Sequence, residues 1–201
     1  MKGQQQVLTS LLLIIIMIAV VGSVYFWGMP LIQKNRDVTV LRKAEDFMFN
    51  LNNKIKYVAN TQTKDSIKID VGTVSFDPST ETITLEVNTK GTVYAVGAPV
   101  YFVRNASDVG VWGRDEPELI YVEAIDTGGG YHHVYTLKYR ELVMKGLGKS
   151  EIKYKISLVS DISGKQYGSS GHIIFIEYKG TETIQQGTTS VTLTKVGLKI
   201  E

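Results

Sequence analysis

The chain has 201 residues, of which 21% are charged, and a formal net charge of +2. That length suits one ordinary domain plus an appendage, and the thin, acid-interleaved spread of Lys and Arg excludes the basic stripe of a nucleic-acid binder. Cysteine is absent, which removes disulfides, Cys-based zinc sites and thiol catalysis together.

Residues 7–32 carry no charged side chain. As a helix they would measure about 39 Å, against roughly 30 Å for the hydrocarbon core of a bilayer. The interior of the run, Leu11-Leu12-Leu13-Ile14-Ile15-Ile16-Met17-Ile18-Ala19-Val20-Val21, is apolar on every face, whereas a soluble amphipathic helix keeps a polar side. Tyr25, Phe26 and Trp27 form an aromatic cluster where the far interface should fall. These features predict a membrane segment. A cleaved secretory signal would have a shorter apolar run ending in a small-x-small site, but Gly22-Ser23-Val24 leads into bulky aromatics.

Only Met1-Lys2-Gly3-Gln4-Gln5-Gln6 precedes the apolar run. The Lys-Gly pair, the Gln-rich patch and the long apolar helix together resemble the class III signal peptide of archaeal type IV pilin-like proteins, the pilin and archaellin type of N-terminus. The motif covers residues 2–30, and the resemblance extends as a helical layout into the stalk described below. It implies a leader peptidase acting on the cytoplasmic side, before the apolar helix. Lys2 and Gly3 would then close the leader, and Gln4 would open a mature chain that keeps its helix. Two features depart from the family pattern: Val7 and Leu8 stand where many pilins carry an early glutamate, and Gln5 takes a second mature position that is more usually small or apolar. Gly22 and Gly28 are the small residues through which such helices could pack closely. Charge alone would leave the C-terminal part in the cytoplasm, because Lys34, Arg36, Arg42 and Lys43 all follow the helix. Asp37, Glu45 and Asp46 dilute that flank, and the resemblance implies the opposite orientation, with an external C-terminal domain.

Pro30 should end or kink the first helix. Beyond Asp37 a second pattern begins, in which Leu41, Ala44, Met48, Leu51, Ile55 and Val58 are spaced by three and four and line one helical face. Val40 and Phe47 widen this stripe, while Lys43, Glu45, Asp46, Asn50, Asn53, Lys54 and Lys56 fall mainly elsewhere. The stripe predicts a helix packed on the following domain; a stalk meeting other subunits is the alternative.

From Ser66 onward the period becomes two, starting with Ile67, Ile69 and Val71. Val74-Ser75-Phe76, a turn at Asp77-Pro78-Ser79-Thr80, and Ile83, Leu85 and Val87 read as a hairpin. Further strands are predicted over 92–96, 100–104, 119–125, 131–140, 152–159, 173–178 and 191–200, with turns at 88–91, 126–130 and 161–164. In the last strand Val191 and Leu193 share one phase and Val196, Leu198 and Ile200 the other, so a bulge is expected near Thr194 and Lys195. About eight to ten short strands point to an all-β sandwich. The predicted organisation is a leader over 1–3, a hydrophobic transmembrane or filament-core helix over 4–33, an amphipathic helical stalk over 34–60, and a β-sandwich over 61–201 that should fold without the apolar helix.

Catalytic equipment is not expected. His132 and His133 are adjacent in a strand and so face opposite ways, which prevents joint metal ligation; His172 opens another strand. No Ser-His-Asp order or nucleophile elbow is present. Asp108, Asp115, Glu116 and Glu118 lack the spacing of a calcium loop and read as solvated acids. Gly128-Gly129-Gly130 has no following Lys-Ser/Thr and reads as a hairpin tip rather than a phosphate cradle. Tyr131, Tyr135 and Tyr139 share one phase, which suits core or cross-strand packing. Asn105-Ala106-Ser107 is an N-glycosylation sequon in a predicted loop.

The expectation is a non-enzymatic protein without metal or cofactor. It would be a structural subunit or minor component of an archaeal type IV pilus-like surface filament, placed in the cell membrane or in the extracellular filament. Its partners would be the membrane, other copies or pilin-like subunits, the leader peptidase and the cell envelope. The alternative is a stationary membrane-anchored envelope protein with an archaellum-stator-like β-sandwich module.

Overall fold

A computed structural model of the chain describes residues 2–145, 151–186 and 189–201. Its first element, α1 (Lys2–Thr61), is a single helix of 60 residues, about 90 Å long at the usual rise. Pro30 lies inside α1 and does not end it. Proline removes one amide donor, the one that would reach the Phe26 carbonyl, and the turns on either side carry the helix through. Met1 lies outside the described residues, and Lys2, Gly3 and Gln4 begin the first turn of α1.

Twelve strands are described after α1, in two six-stranded sheets. They are β1 (Lys64–Lys68), β2 (Thr73–Asp77), β3 (Thr82–Thr89), β4 (Val100–Tyr101), β5 (Val109–Val111), β6 (Glu118–Asp126), β7 (Tyr131–Tyr139), β8 (Glu141–Lys145), β9 (Glu151–Val159), β10 (Gln166–Ser169), β11 (Ile173–Gln186) and β12 (Thr189–Ile200). One sheet runs β1-β11-β12-β9-β8-β5 and the other β10-β2-β3-β7-β6-β4. Pairing is antiparallel except for β12 with β9 and β5 with β8. The architecture is the expected long apolar helix followed by a β-sandwich.

Alternation builds the core. Ile83, Leu85 and Val87 of β3 and His133, Tyr135, Leu137 and Tyr139 of β7 point inward, and the residues between them are less buried. Ile174, Ile176, Val196, Leu198, Ile156 and Leu158 answer from the other sheet. The predicted helical stripe belongs to the same cluster: Leu41, Ala44, Phe47, Met48, Leu51, Ile55, Val58 and Ala59 are all buried in it. The stalk is therefore a wall of the sandwich core. A sandwich beginning at residue 61 would lack that wall.

β7 runs along α1 in the same sense. The Tyr135 hydroxyl donates to the Leu41 carbonyl (3.2 Å) and the Tyr139 hydroxyl to Asn52 Oδ1 (2.8 Å). The β3–β4 connection and the β6–β7 turn thus lie at the end of the domain nearer the apolar half of α1. The β2–β3 turn lies at the opposite end.

Several local expectations are corrected. The register shift lies in β11, between Tyr178 and Gly180, opposite Val196 and Lys195 of β12. The bulged strand is therefore the partner of the one expected, and Gly180 supplies the left-handed backbone there (φ 115°). The strand predicted over 92–96 reduces to one bridge, Val96 with Ala124, and that over 100–104 to the two residues of β4. β5 and β10, edge strands of three and four residues, were not predicted. β8 was missed because only Arg140 separates it from β7. At Arg140 the chain leaves one sheet for the other.

Candidate membrane and assembly helix

α1 has two halves with opposite surroundings. The large apolar side chains from Val7 to Ile32 are exposed, with Phe26 and Trp27 the most open at 83% and 85%. This is a helix long and apolar enough to cross a membrane, and its most apolar window has no burial within the chain. Nothing in the sequence breaks the apolar surface into faces, so no side of this half can be turned to water without cost. A Cβ added at Gly22 or Gly28 meets no atom within 4 Å. The fold of the single chain therefore does not require either glycine. Lys2, Gly3 and Gln4 open α1 at its N-terminal end, ahead of the exposed apolar residues that begin at Val7.

The C-terminal half is tied to the sheets by three polar joints as well as by the apolar stripe. The first is at Asp37, buried on the same face one turn before Leu41. Its Oδ2 accepts the Gly91 amide (2.8 Å), and its Oδ1 accepts Gln33 Nε2 (2.9 Å). The second is at Glu45, whose carboxylate accepts the Tyr94 hydroxyl; that hydroxyl lies 3.0 Å from the Tyr135 hydroxyl. Tyr94 also stands edge-on to Phe102, His133 and Tyr135. Burial, reinforced by the bonds to Glu45 and Tyr135, holds the Tyr94 phenol protonated far above its ordinary range. Burial also pushes the Tyr135 and Tyr139 phenols up. The third joint is Asn52. It accepts from Tyr139 and donates to Glu118 Oε1 (2.8 Å), which also takes Lys56 Nζ at 2.7 Å. Asp65 receives Lys54 just past the helix end at 2.7 Å, a contact that lowers the Asp65 pKa.

The other singled-out residues serve the β-domain. His132 and His133 face opposite ways: His132 Nδ1 is 2.8 Å from Asn88 Oδ1, whereas His133 is fully buried with Nε2 2.9 Å from Thr92 Oγ1. Burial lowers the His133 pKa. Asp108 pairs with Lys138 (2.8 Å), Asp115 accepts the Val111 amide (2.8 Å), and the Glu116 carbonyl accepts Arg140 Nε (2.8 Å). Among the described residues no group of three or more His, Cys, Asp or Glu is placed to hold a metal. Asn105 is half-buried in the β4–β5 loop, donating to Asp115 Oδ2 (3.2 Å) and accepting the Ser107 amide (3.0 Å). Arg140, buried at the sheet-switching corner, donates to the carbonyls of Asn105 and Ser107 and so fixes the sequon backbone.

No family model, curated protein or solved structure matches the chain. The reading of α1 rests on its own geometry. Sequence reasoning missed the Asp37 and Asn52 joints, yet both carry a usable signal. They are polar residues lying on the apolar stripe, one turn from Leu41 and Met48 respectively, where a solvated side chain has no place.

Proposed function

We propose that the chain is a structural subunit or minor component of an archaeal type IV pilus-like surface filament. The exposed half of α1 would form the filament core, and the β-domain would stand outside the cell. The observation that carries this reading is the contrast along one unbroken helix: residues 41–59 are locked into the sandwich core, while the apolar half offers no surface to the chain's own fold. Such a half is stable in a bilayer or in a bundle of like helices, and a pilin-like subunit passes from one to the other. Gly22 and Gly28, which the single chain does not need, suit close helix approach in the bundle. The resemblance of Lys2, Gly3 and Gln4 to a class III leader adds a processing route, with Gln4 as the mature terminus. Asn105 is a candidate glycosylation site on the outer domain. The proposal gives the chain no catalytic role.

The test is to shear surface filaments from cells and identify their subunit by mass spectrometry, reading its N-terminus at the same time. Filaments containing a chain that begins at Gln4 support the reading. A membrane-held protein with an intact Met1 or cleavage near Ser23, and no filament, refutes it. The stationary-anchor reading draws on the exposed Tyr25, Phe26 and Trp27, which suit a resident interfacial belt. It is favoured by protein that stays with the membrane after shearing.

A further inference from the structure

We infer that the loop over 92–99, with Lys90 and Lys34 beside it, is a second lipid-contacting surface that seats the β-domain on the bilayer its own helix crosses. This rests on reading the apolar half of α1 as membrane-spanning in at least one stage of the protein's life.

Position comes first. The uncharged run over 7–32 exceeds the hydrocarbon thickness, and the headgroup layer adds only about 5–7 Å on each side. At the helical rise that layer corresponds to roughly four residues, so with Trp27 of the aromatic cluster at the hydrocarbon edge it reaches Leu31, and with Ile32, the last residue of the uncharged run, at that edge it reaches Arg36. Asp37 is the residue that holds the Gly91 amide. A hollow of about 380 Å³ lies between Pro30, Lys34 and Val38 of α1 and Lys90 and Val93 of the loop. The Val93 side of the loop, which faces Pro30 and Lys34 across this hollow, therefore sits at the headgroup margin.

Its chemistry suits that level. Thr92-Val93-Tyr94-Ala95-Val96-Gly97-Ala98-Pro99 has no charged residue. Val93 is 58% exposed, Val96 49%, and Ile125 on the adjoining β6 48%. The two lysines at its margin are exposed and match the phosphates of an anionic bilayer surface.

The loop is also built to keep these side chains outward. Tyr94 is drawn inward by its bonds to Glu45 and Tyr135, which turns its neighbours Val93 and Ala95 away from the core. The Gly91 amide is held by Asp37, and the Gly97 amide donates to the Ala124 carbonyl at 3.0 Å. A segment pinned at three points cannot fold its valines under itself. Val93 and Val96 are thus left open to be covered from outside the chain, and the bilayer is the apolar phase that α1 delivers to them.

The absence of cysteine makes the test direct. Full-length single-cysteine variants I15C, V93C and T80C are labelled with an environment-sensitive fluorophore and reconstituted into phosphatidylcholine–phosphatidylglycerol vesicles. The vesicles carry nitroxide lipids, and Thr80 lies in the β2–β3 turn at the opposite end of the domain. Strong quenching at Ile15 together with several-fold more quenching at Val93 than at Thr80 is the expected result. Quenching at Ile15 with Val93 no different from Thr80 overturns the second contact while leaving the spanning helix intact, and leaves a neighbouring copy as the cover for the loop. Absence of quenching at Ile15 overturns the helix reading and this surface with it.

Discussion

Where the chain can be cut is the sharpest consequence of the shared core. Two fragments separate the possibilities, one spanning 34–201 and one spanning 62–201. The shorter loses Leu41, Phe47, Met48, Leu51, Ile55 and Val58, each at most 5% exposed in the intact fold. Burial of a side chain of this size is worth about 1.5–3 kcal/mol, so their removal forfeits about 9–18 kcal/mol. Whole domains are stable by only about 5–15 kcal/mol. The apolar faces of both sheets that met the helix are uncovered as well, and Tyr139 and Glu118 lose Asn52. The 34–201 fragment should be a soluble, β-rich monomer with a cooperative thermal transition by circular dichroism. The 62–201 fragment should aggregate or melt without cooperativity. A 62–201 fragment that melts cooperatively within a few degrees of the longer one would show that the helix is an accessory to the core, and would refute the reasoning.

Other outcomes follow from single side chains. Gly22→Leu should leave the protein membrane-inserted but lower filament yield, because lipid accepts the added bulk and a close helix contact does not; unchanged yield in sheared preparations counts against packing at this glycine. Tyr94→Phe removes the hydroxyl shared by Glu45 and Tyr135 and should destabilise the 34–201 fragment by ~1–3 kcal/mol in urea unfolding. His133 gives a pH signature. Its folded pKa lies below the ordinary 6.5, so on acidification the unfolded chain takes up the proton first. Its contribution is complete above about pH 6.5 and is lost as the pH falls toward the depressed folded value. Asp37 and His132 act on the same ring in opposite senses, and neither changes that direction. The melting temperature of the fragment should fall from pH 6.5 to pH 5, and His133→Gln should flatten that slope even if it lowers stability overall.

The sequence was most legible where one physical demand dominated. An apolar run with no polar face has few environments, and the stripe from Leu41 to Val58 has one helical face to bury. The hairpin of β2 and β3 was read for the same reason, since Val74, Phe76, Ile83, Leu85 and Val87 alternate without interruption. Legibility failed where tertiary contacts override local pattern. Residues 92–96 look like a strand, but Tyr94 is taken by Glu45 and the backbone leaves the sheet. Pro30 looks like a stop, but one missing amide does not outweigh the turns on both sides. β5 and β10 are short edges with a single partner each, so their side chains carry little burial signal. The bulge was detected from its effect on β12, and the residue that absorbs it sits across the ladder in β11. Asp37 and Asn52 were visible as polar intrusions on an apolar stripe, but their partners Gly91, Glu118 and Tyr139 lie far away in the chain.

The unbroken passage of α1 from its apolar half into the sandwich also sets how the molecule bears load. No non-helical residue lies between Ile32 and Leu41, so there is no tether to stretch and no swivel to turn. A pull on the β-domain enters α1 as shear along residues 41–59, a contact about 27 Å long at the helical rise. The apolar stripe and the ties at Asp37, Glu45 and Asn52 then resist side by side, and none can be peeled away ahead of the others. Torque is carried by the same route, so the direction each β-domain faces is set by the rotation of its own helix.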